Sequence, residues 1–167
     1  TFKVEKEDFK LLDTDEEFIG ERKNINLIYE NNFESDSLKN ECDLTPIEGL
    51  NSICLNKENQ FSPSINIPIN SNSFDWIRVS ADFKIKHKEW GVWKMTQFVI
   101  RIKQDDQKIK ERMIRVQRLL DFEDIKNIYL DMKLPNNEFN SAEIFFWNPE
   151  SKKNILVDNL EVELFEE

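Results

Sequence analysis

The side chains able to do chemistry are unevenly supplied in this chain. There is one histidine, His87, so any site needing two imidazoles, such as an H-E-x-x-H zinc site, is excluded. A Ser-His-Asp or Cys-His arrangement would have to run through His87 alone, and that residue, between Lys86 and Lys88, reads as an exposed histidine at a strand end. The two cysteines, Cys42 and Cys54, cannot make a four-thiolate metal site, and spacing leaves open whether they pair. The three glycines, Gly20, Gly49 and Gly91, stand isolated, so neither G-x-G-x-x-G nor G-x-x-x-x-G-K-S/T exists to cradle a phosphate. Carboxylates abound, and hydrolysis of a glycoside needs two of them about 5–9.5 Å apart across a cleft. The candidates are Asp105 with Asp106, in a wholly polar run, and Asp121, Glu123 and Asp124, which lack an apolar pocket to raise a pKa. Both groups read as solvated surface, and the chain as non-catalytic. Aromatic rings remain. Trp90 and Trp93 flank Gly91 in HKEWGVWKM, a break between two strands, where a rigid scaffold concentrates binding residues.

Charge narrows the partners. Lys plus Arg is 23, Asp plus Glu is 33, and the net charge is −10. A general nucleic-acid binder needs a basic footprint, and a polybasic membrane-surface domain needs the same. Neither fits, and no window approaches the ~20 apolar residues of a membrane span. No signal peptide is visible and Thr1 is not an initiator Met, so the chain reads as an excised or mature segment. Aromatics at 11% favour a folded acidic domain over a disordered one.

The elements that must position these residues are strands. Residues 1–22 read as a charged lead-in or covering segment carrying Phe2, Val4 and Phe9, and residues 23–167 as a single domain. Within it the dominant period is two. In Asp75–Lys86, Ile77, Val79, Ala81, Phe83 and Ile85 oppose Trp76, Arg78, Ser80, Asp82, Lys84 and Lys86. In Thr96–Lys103, Phe98, Ile100 and Ile102 oppose Gln97, Arg101 and Lys103; in Asn127–Leu134, Ile128, Leu130, Met132 and Leu134 oppose Tyr129, Asp131 and Lys133. Asn159–Phe165 and Ser64–Asn70 alternate likewise, and Ile25–Tyr29, Ile53–Leu55, Met113–Val116, Ala142–Trp147 and Asn154–Val157 are shorter candidates. Ile109–Leu120 could be helix or strand, and 119–126 one helical turn. Asn and Asp stand where turns would otherwise use Gly, because they tolerate positive φ. Strands without a βαβ rhythm, each with one apolar face, predict an all-β antiparallel two-sheet β-sandwich, a jelly roll, with a small closed barrel as the competing architecture.

Two segments at the ends of this pattern carry a resemblance. Asn31–Asp36, NNFESD, resembles the opening strand of jelly-roll carbohydrate-binding modules of the galactose-binding-like fold, and Val157–Leu164, VDNLEVEL, resembles their closing strand. Asp75–Ile85 and Ile144–Asn148 resemble intervening strands of the same group; the Gly that usually follows the first motif is absent here. The resemblance implies a structural Ca²⁺ joining first and last strands, with Glu34 as opening ligand, Asp158 as closing ligand and Asp36 nearby. It also implies a sugar ligand, whose C–H faces pack on flat rings while hydroxyls meet polar groups.

Two aromatic groups could meet such a ligand. One is Trp90 with Trp93; against it, Trp93 would plug the core's end and Trp90 would pack on Lys side chains. The other is an outer sheet face. Alternation puts Phe145 and Trp147 beside Glu143, Trp76 beside Arg78, and Tyr129 on the polar face of its strand; if these strands are neighbours, all share one face. That face would be covered by the N-terminal segment, or bind a protein partner, or bind a glycan. The basic stretch Lys103–Arg118 reads as a solvated face, with an anionic glycan or partner as the alternative. The expectation is a non-catalytic, carbohydrate-binding-like module of a secreted, cell-surface or periplasmic protein; a structural interaction domain, including one that pairs with a second copy of itself, is the alternative.

Overall fold

The computed structural model describes residues 17–35, 42–70, 73–121, 124–150 and 152–167. Nine strands follow in order: β1 (Lys23–Asn31), β2 (Ile53–Leu55), β3 (Ile65–Pro68), β4 (Trp76–Ile85), β5 (Gln97–Gln104), β6 (Gln107–Arg115), β7 (Lys126–Lys133), β8 (Ser141–Trp147) and β9 (Ile155–Glu166). They form two antiparallel sheets. One has the order β1-β9-β4-β7, with β2 pairing the start of β9; the other has the order β3-β8-β5-β6. This is the β-sandwich jelly roll the alternation predicts.

Inward residues of both sheets interdigitate as face-to-face packing requires. Phe83 of one sheet meets Phe98 and Phe146 of the other, with centroids 5.7 Å away from each, and Phe98 lies 4.9 Å from Phe146. Ile77, Val79, Ile100, Ile102, Leu130, Met132 and Ile144 complete a dry centre. At one edge Arg112 donates to the carbonyl of Asp131 and Lys110 to that of Lys133 (2.9 Å), clasping β6 to β7 across the gap between sheets.

Two local readings change, and one turn forms as expected. Asn154–Val157 and Asn159–Phe165 are one strand, β9. Asn159 has φ 47° and the pairing with β4 slips between Ser80 and Asp82, so a bulge shifts the inward set from Ile155 and Val157 to Leu160, Val162 and Leu164. The segment from Ile109 is strand as far as Arg115, because it pairs with β5, and a single 3₁₀ turn at Val116–Arg118 ends it; the helical turn expected at 119–126 lies earlier. The β5–β6 hairpin turns on Asp105 (φ 46°) and Asp106 (φ 67°), the two positive-φ positions of a tight hairpin, filled by Asp in place of Gly.

Candidate functional site

The outer face of β3-β8-β5-β6 is laid out by register. Trp147 pairs with Gln97, which pairs with Arg115; Phe145 pairs with Val99, then Met113; Glu143 pairs with Arg101, then Glu111. The face therefore grades from aromatic to charged along the strands. Phe61 joins from the segment before β3. Its neighbours fasten that segment to β8: the Ser62 N–H donates to the Phe146 carbonyl (2.9 Å), the Asn148 N–H to the Gln60 carbonyl (2.8 Å), and the Phe146 N–H to Ser62 Oγ (2.9 Å). Phe61 is 57% exposed, and its ring lies parallel to Trp147, 1° between planes and 5.5 Å between centroids.

Polar groups surround this plate. Arg101 sits over the Phe145 ring at 4.6 Å and is ion-paired with Glu111 and Glu143. The pairing with Glu111 raises the Arg101 pKa and lowers that of Glu111, so both stay charged. Phe61, Trp147, Phe145, Gln97, Arg101 and Met113 line a shallow depression of about 540 Å³. A flat ring bordered by fixed donors and acceptors suits a ligand with one apolar face and a hydroxyl-bearing edge.

The other outer face differs. Trp76, Arg78 and Tyr129 do not share a face with Phe145 and Trp147, because β4 and β7 belong to one sheet and β8 to the other. The single shared face is thereby corrected to two opposite ones. Trp76 is only 6% exposed. Phe18 packs edge-on to Trp76 (5.4 Å) and to Phe165 (5.1 Å), and the Phe18 N–H donates to Asp131 (3.3 Å). Arg78 makes a two-pronged contact with buried Asp131 (2.6 and 2.8 Å) beneath the Tyr129 ring, which raises its pKa. The Tyr129 hydroxyl donates to Glu17 (3.2 Å); burial, then this contact, raises its pKa. Residues 17–22 thus lie on this face. Phe2, Val4 and Phe9, expected there, fall outside the described residues.

Trp90 and Trp93 separate. The Trp90 indole N–H donates to the His87 carbonyl (2.8 Å), its ring packs on the core, and Lys153 lies 5.8 Å from it. Trp93 does not plug the core: it is 81% exposed on a 3₁₀ turn, with the Arg115 guanidinium 5.3 Å from its ring.

Glu34 and Asp158 converge on one loop, 47–52. Glu34 accepts the backbone N–H groups of Leu50 (2.9 Å) and Asn51 (3.3 Å). Gly49, at φ 60°, lets the loop pass: a Cβ there would stand 1.8 Å from Glu34 Oε1. Asp158 is fully buried and accepts Ser52 Oγ–H (2.6 Å) and the Asn159 N–H (2.8 Å). Burial pushes its carboxyl above the usual range, and the Glu34 charge pushes the same way, against the donors Ser52, Asn159 and Glu48. Among the described residues no Lys or Arg pairs with either carboxylate, and no cluster of three metal-ligating side chains occurs. Asp158 thus lies fully buried with a second carboxylate, Glu34, acting on it through its charge. Asp36 lies outside the described residues.

Of the acid–base candidates, Asp121 lines a depression of about 440 Å³ together with Lys88, Glu89 and Trp90. The Asp106 side chain is wholly exposed in the β5–β6 turn, Asp121 and Asp124 are exposed, and Glu123 is not among the described residues. A larger polar hollow of about 620 Å³ at the β1–β9–β4 end holds Glu30, Glu48, Asp82 and Glu161. Two of its amides are spent internally: Asn159 donates to Glu48 and Asp82, and Asn127 to Asp82.

Cys42 and Cys54 are disulfide-bonded. Among the described residues no helix is long and apolar enough to cross a membrane.

No family model and no curated protein sequence matches the chain. Solved structures do resemble it in fold. "Family 16 Carbohydrate Binding Module-2" aligns at 11% identity and TM-score 0.49, over 71% of this chain and 79% of that one. The CBM22-1 xylan-binding domain from Paenibacillus barcinonensis Xyn10C aligns at 10% identity and TM-score 0.48, over 87% of this chain and 98% of that one. A CBM4 structure aligns at 13% identity and TM-score 0.39, over 60% of each chain. At such values the likeness is one of fold alone, and function must be read from the side chains themselves.

Proposed function

We propose that this chain is a non-catalytic glycan-binding module and that its ligand lies on the outer face of β3-β8-β5-β6. The observation that carries the reading is the parallel Phe61–Trp147 pair, half-open to solvent, beside Phe145 and Gln97 on a strand face. Stacking on the rings supplies affinity, and Gln97, Glu111 and Glu143 supply hydrogen bonds to hydroxyls. Binding involves no covalent step. Arg101, held between two glutamates, positions Glu111 and Glu143 while covering Phe145. Of the residues singled out from sequence, Phe145 and Trp147 belong to this face, and Trp93 stands at its end.

A secreted or cell-surface setting accompanies the reading. The Cys42–Cys54 bond supports it, since disulfides persist in oxidising compartments. A Ca²⁺ held by Glu34 and Asp158 is a further part of the proposal. It would neutralise buried Asp158 together with the half-buried Glu34 and fasten the loop 47–52 to the last strand.

Affinity electrophoresis through soluble polysaccharides tests the function. Wild type is expected to be retarded by at least one polymer, and Trp147→Ala to run as in a gel without polysaccharide. Free migration of the wild type in every polymer would sink the glycan reading and favour a protein-interaction domain.

A further inference from the structure

The face carries two arginines in opposite circumstances. Arg101 is matched by two carboxylates, Glu111 and Glu143. Arg115, at the end of β6, has no carboxylate partner among the described residues; its guanidinium rests over the Trp93 ring at 5.3 Å, and its Nε–H is buried with no acceptor. An unmet guanidinium donor is costly to keep, and the rest of the protein supplies ample acid with which it could have been paired, the net charge being −10.

Position makes the unmatched charge informative. Trp147, Gln97 and Arg115 form one row across three adjacent strands, with Phe61 stacked at one end and Trp93 under the other. Strands lie about 4.8 Å apart, so Trp147 and Arg115 are separated by roughly 10 Å, the span of about two linked pyranose rings. With Nε–H buried, the groups left for a ligand are the two terminal Nη groups, whose paired N–H donors match a carboxylate end-on in two-pronged geometry.

We propose, resting on the glycan reading above, that the ligand is an acidic glycan, and that a uronate carboxylate is received by Arg115 while a neighbouring sugar stacks on the open face of the Phe61–Trp147 pair. Trp93 serves as the platform that holds Arg115 and closes the end of the row. The basic content of β6 is then partly a recognition feature, and Arg115 is the residue that separates uronate-bearing chains from neutral ones.

The test is affinity electrophoresis of the full chain in gels containing polygalacturonate, alginate or glucuronoxylan. Each is run beside the same polymer with its carboxyls chemically reduced to alcohols, and a panel of neutral polysaccharides is included. Wild type is expected to bind at least one uronate polymer about tenfold or more tighter than its reduced form. Arg115→Gln should bind the acidic and reduced forms alike, with an unchanged melting temperature. Arg118→Gln, which removes the same charge from the exposed turn beyond β6, should keep the preference. Equal binding of acidic and reduced forms by wild type, a preference retained in Arg115→Gln, or retention by neutral polymers only would each overturn the inference and leave the glycan reading standing. Retention by none of the polymers would overturn both.

Discussion

At Asp158 the fold holds a carboxylate where solvent cannot reach it. Its pKa is raised in the folded state above the ordinary 3.8, chiefly by burial. A group with a raised folded pKa contributes stability that is present below the unfolded value and lost as pH rises through the folded one. At neutral pH Asp158 therefore costs stability, and a cation bound to the native pair would restore it. Thermal melts at pH 7 should show a higher midpoint in excess Ca²⁺ than in chelator, and Asp158→Asn should remove that difference; identical melts with and without Ca²⁺ would dispose of the ion. Gly49 belongs to the same device. Gly49→Ala must displace the Glu34 carboxylate and strain a positive-φ residue, at an expected cost of about 1–3 kcal/mol, read by chemical denaturation. Sequence carried Glu34 and Asp158 through the end motifs, and Phe145 and Trp147 through alternation. Phe61 was illegible: it lies in an irregular segment, and only a bridge to Trp147 gives it a place. Gln97 and Arg101 were visible as the polar side of their strand, without any sign of what they face.

Elements were legible wherever a strand kept strict alternation. β4, β5, β7 and β8 match their predicted spans to within about two residues, the usual scatter of a strand end. Breakdown came where the period changed. The bulge at Asn159 reverses which parity faces inward, so one long strand looked like two. β6 is an edge strand whose outer face carries Glu111, Met113 and Arg115 and whose other face carries Lys110 and Arg112 beside a lone Ile114, so periodicity alone could not separate it from a helix. Which strands are neighbours lay beyond the sequence, since alternation assigns faces within a strand and says nothing of sheet membership; for that reason Trp76 and Trp147 could be placed together. The segment 17–22 is the covering element of one face, and Phe18 is its anchor. Phe18→Ala should lower the unfolding free energy by about 1–2 kcal/mol, seen as a reduced denaturant midpoint, without altering glycan retention. An unchanged midpoint would mean that this segment is not docked on Trp76 and Phe165.

On the scale of the molecule, the two outer faces of one sandwich are finished differently. One is overlaid by chain at its Trp76 end, with that Trp buried and its Arg neutralised by Asp131; the other keeps its rings half-open and one Arg unmatched. The disulfide adds a fixed point between the loop at Cys42 and β2. Replacing Cys42 and Cys54 together by Ser should cost about 2–3 kcal/mol, measured against the oxidised wild type in denaturant, in line with closing a short loop in the unfolded chain. The −10 charge is mostly solvated surface. Against that background a face with a surplus guanidinium is a local exception. The central claim is that ligand occupies the open face and not the covered one. The most direct measurement compares Trp147→Ala with Tyr129→Phe, one substitution on each face, by affinity electrophoresis in the polymer that retards wild type most. The account predicts that Trp147→Ala loses retardation and Tyr129→Phe keeps it. Retention by Trp147→Ala together with loss by Tyr129→Phe would contradict it.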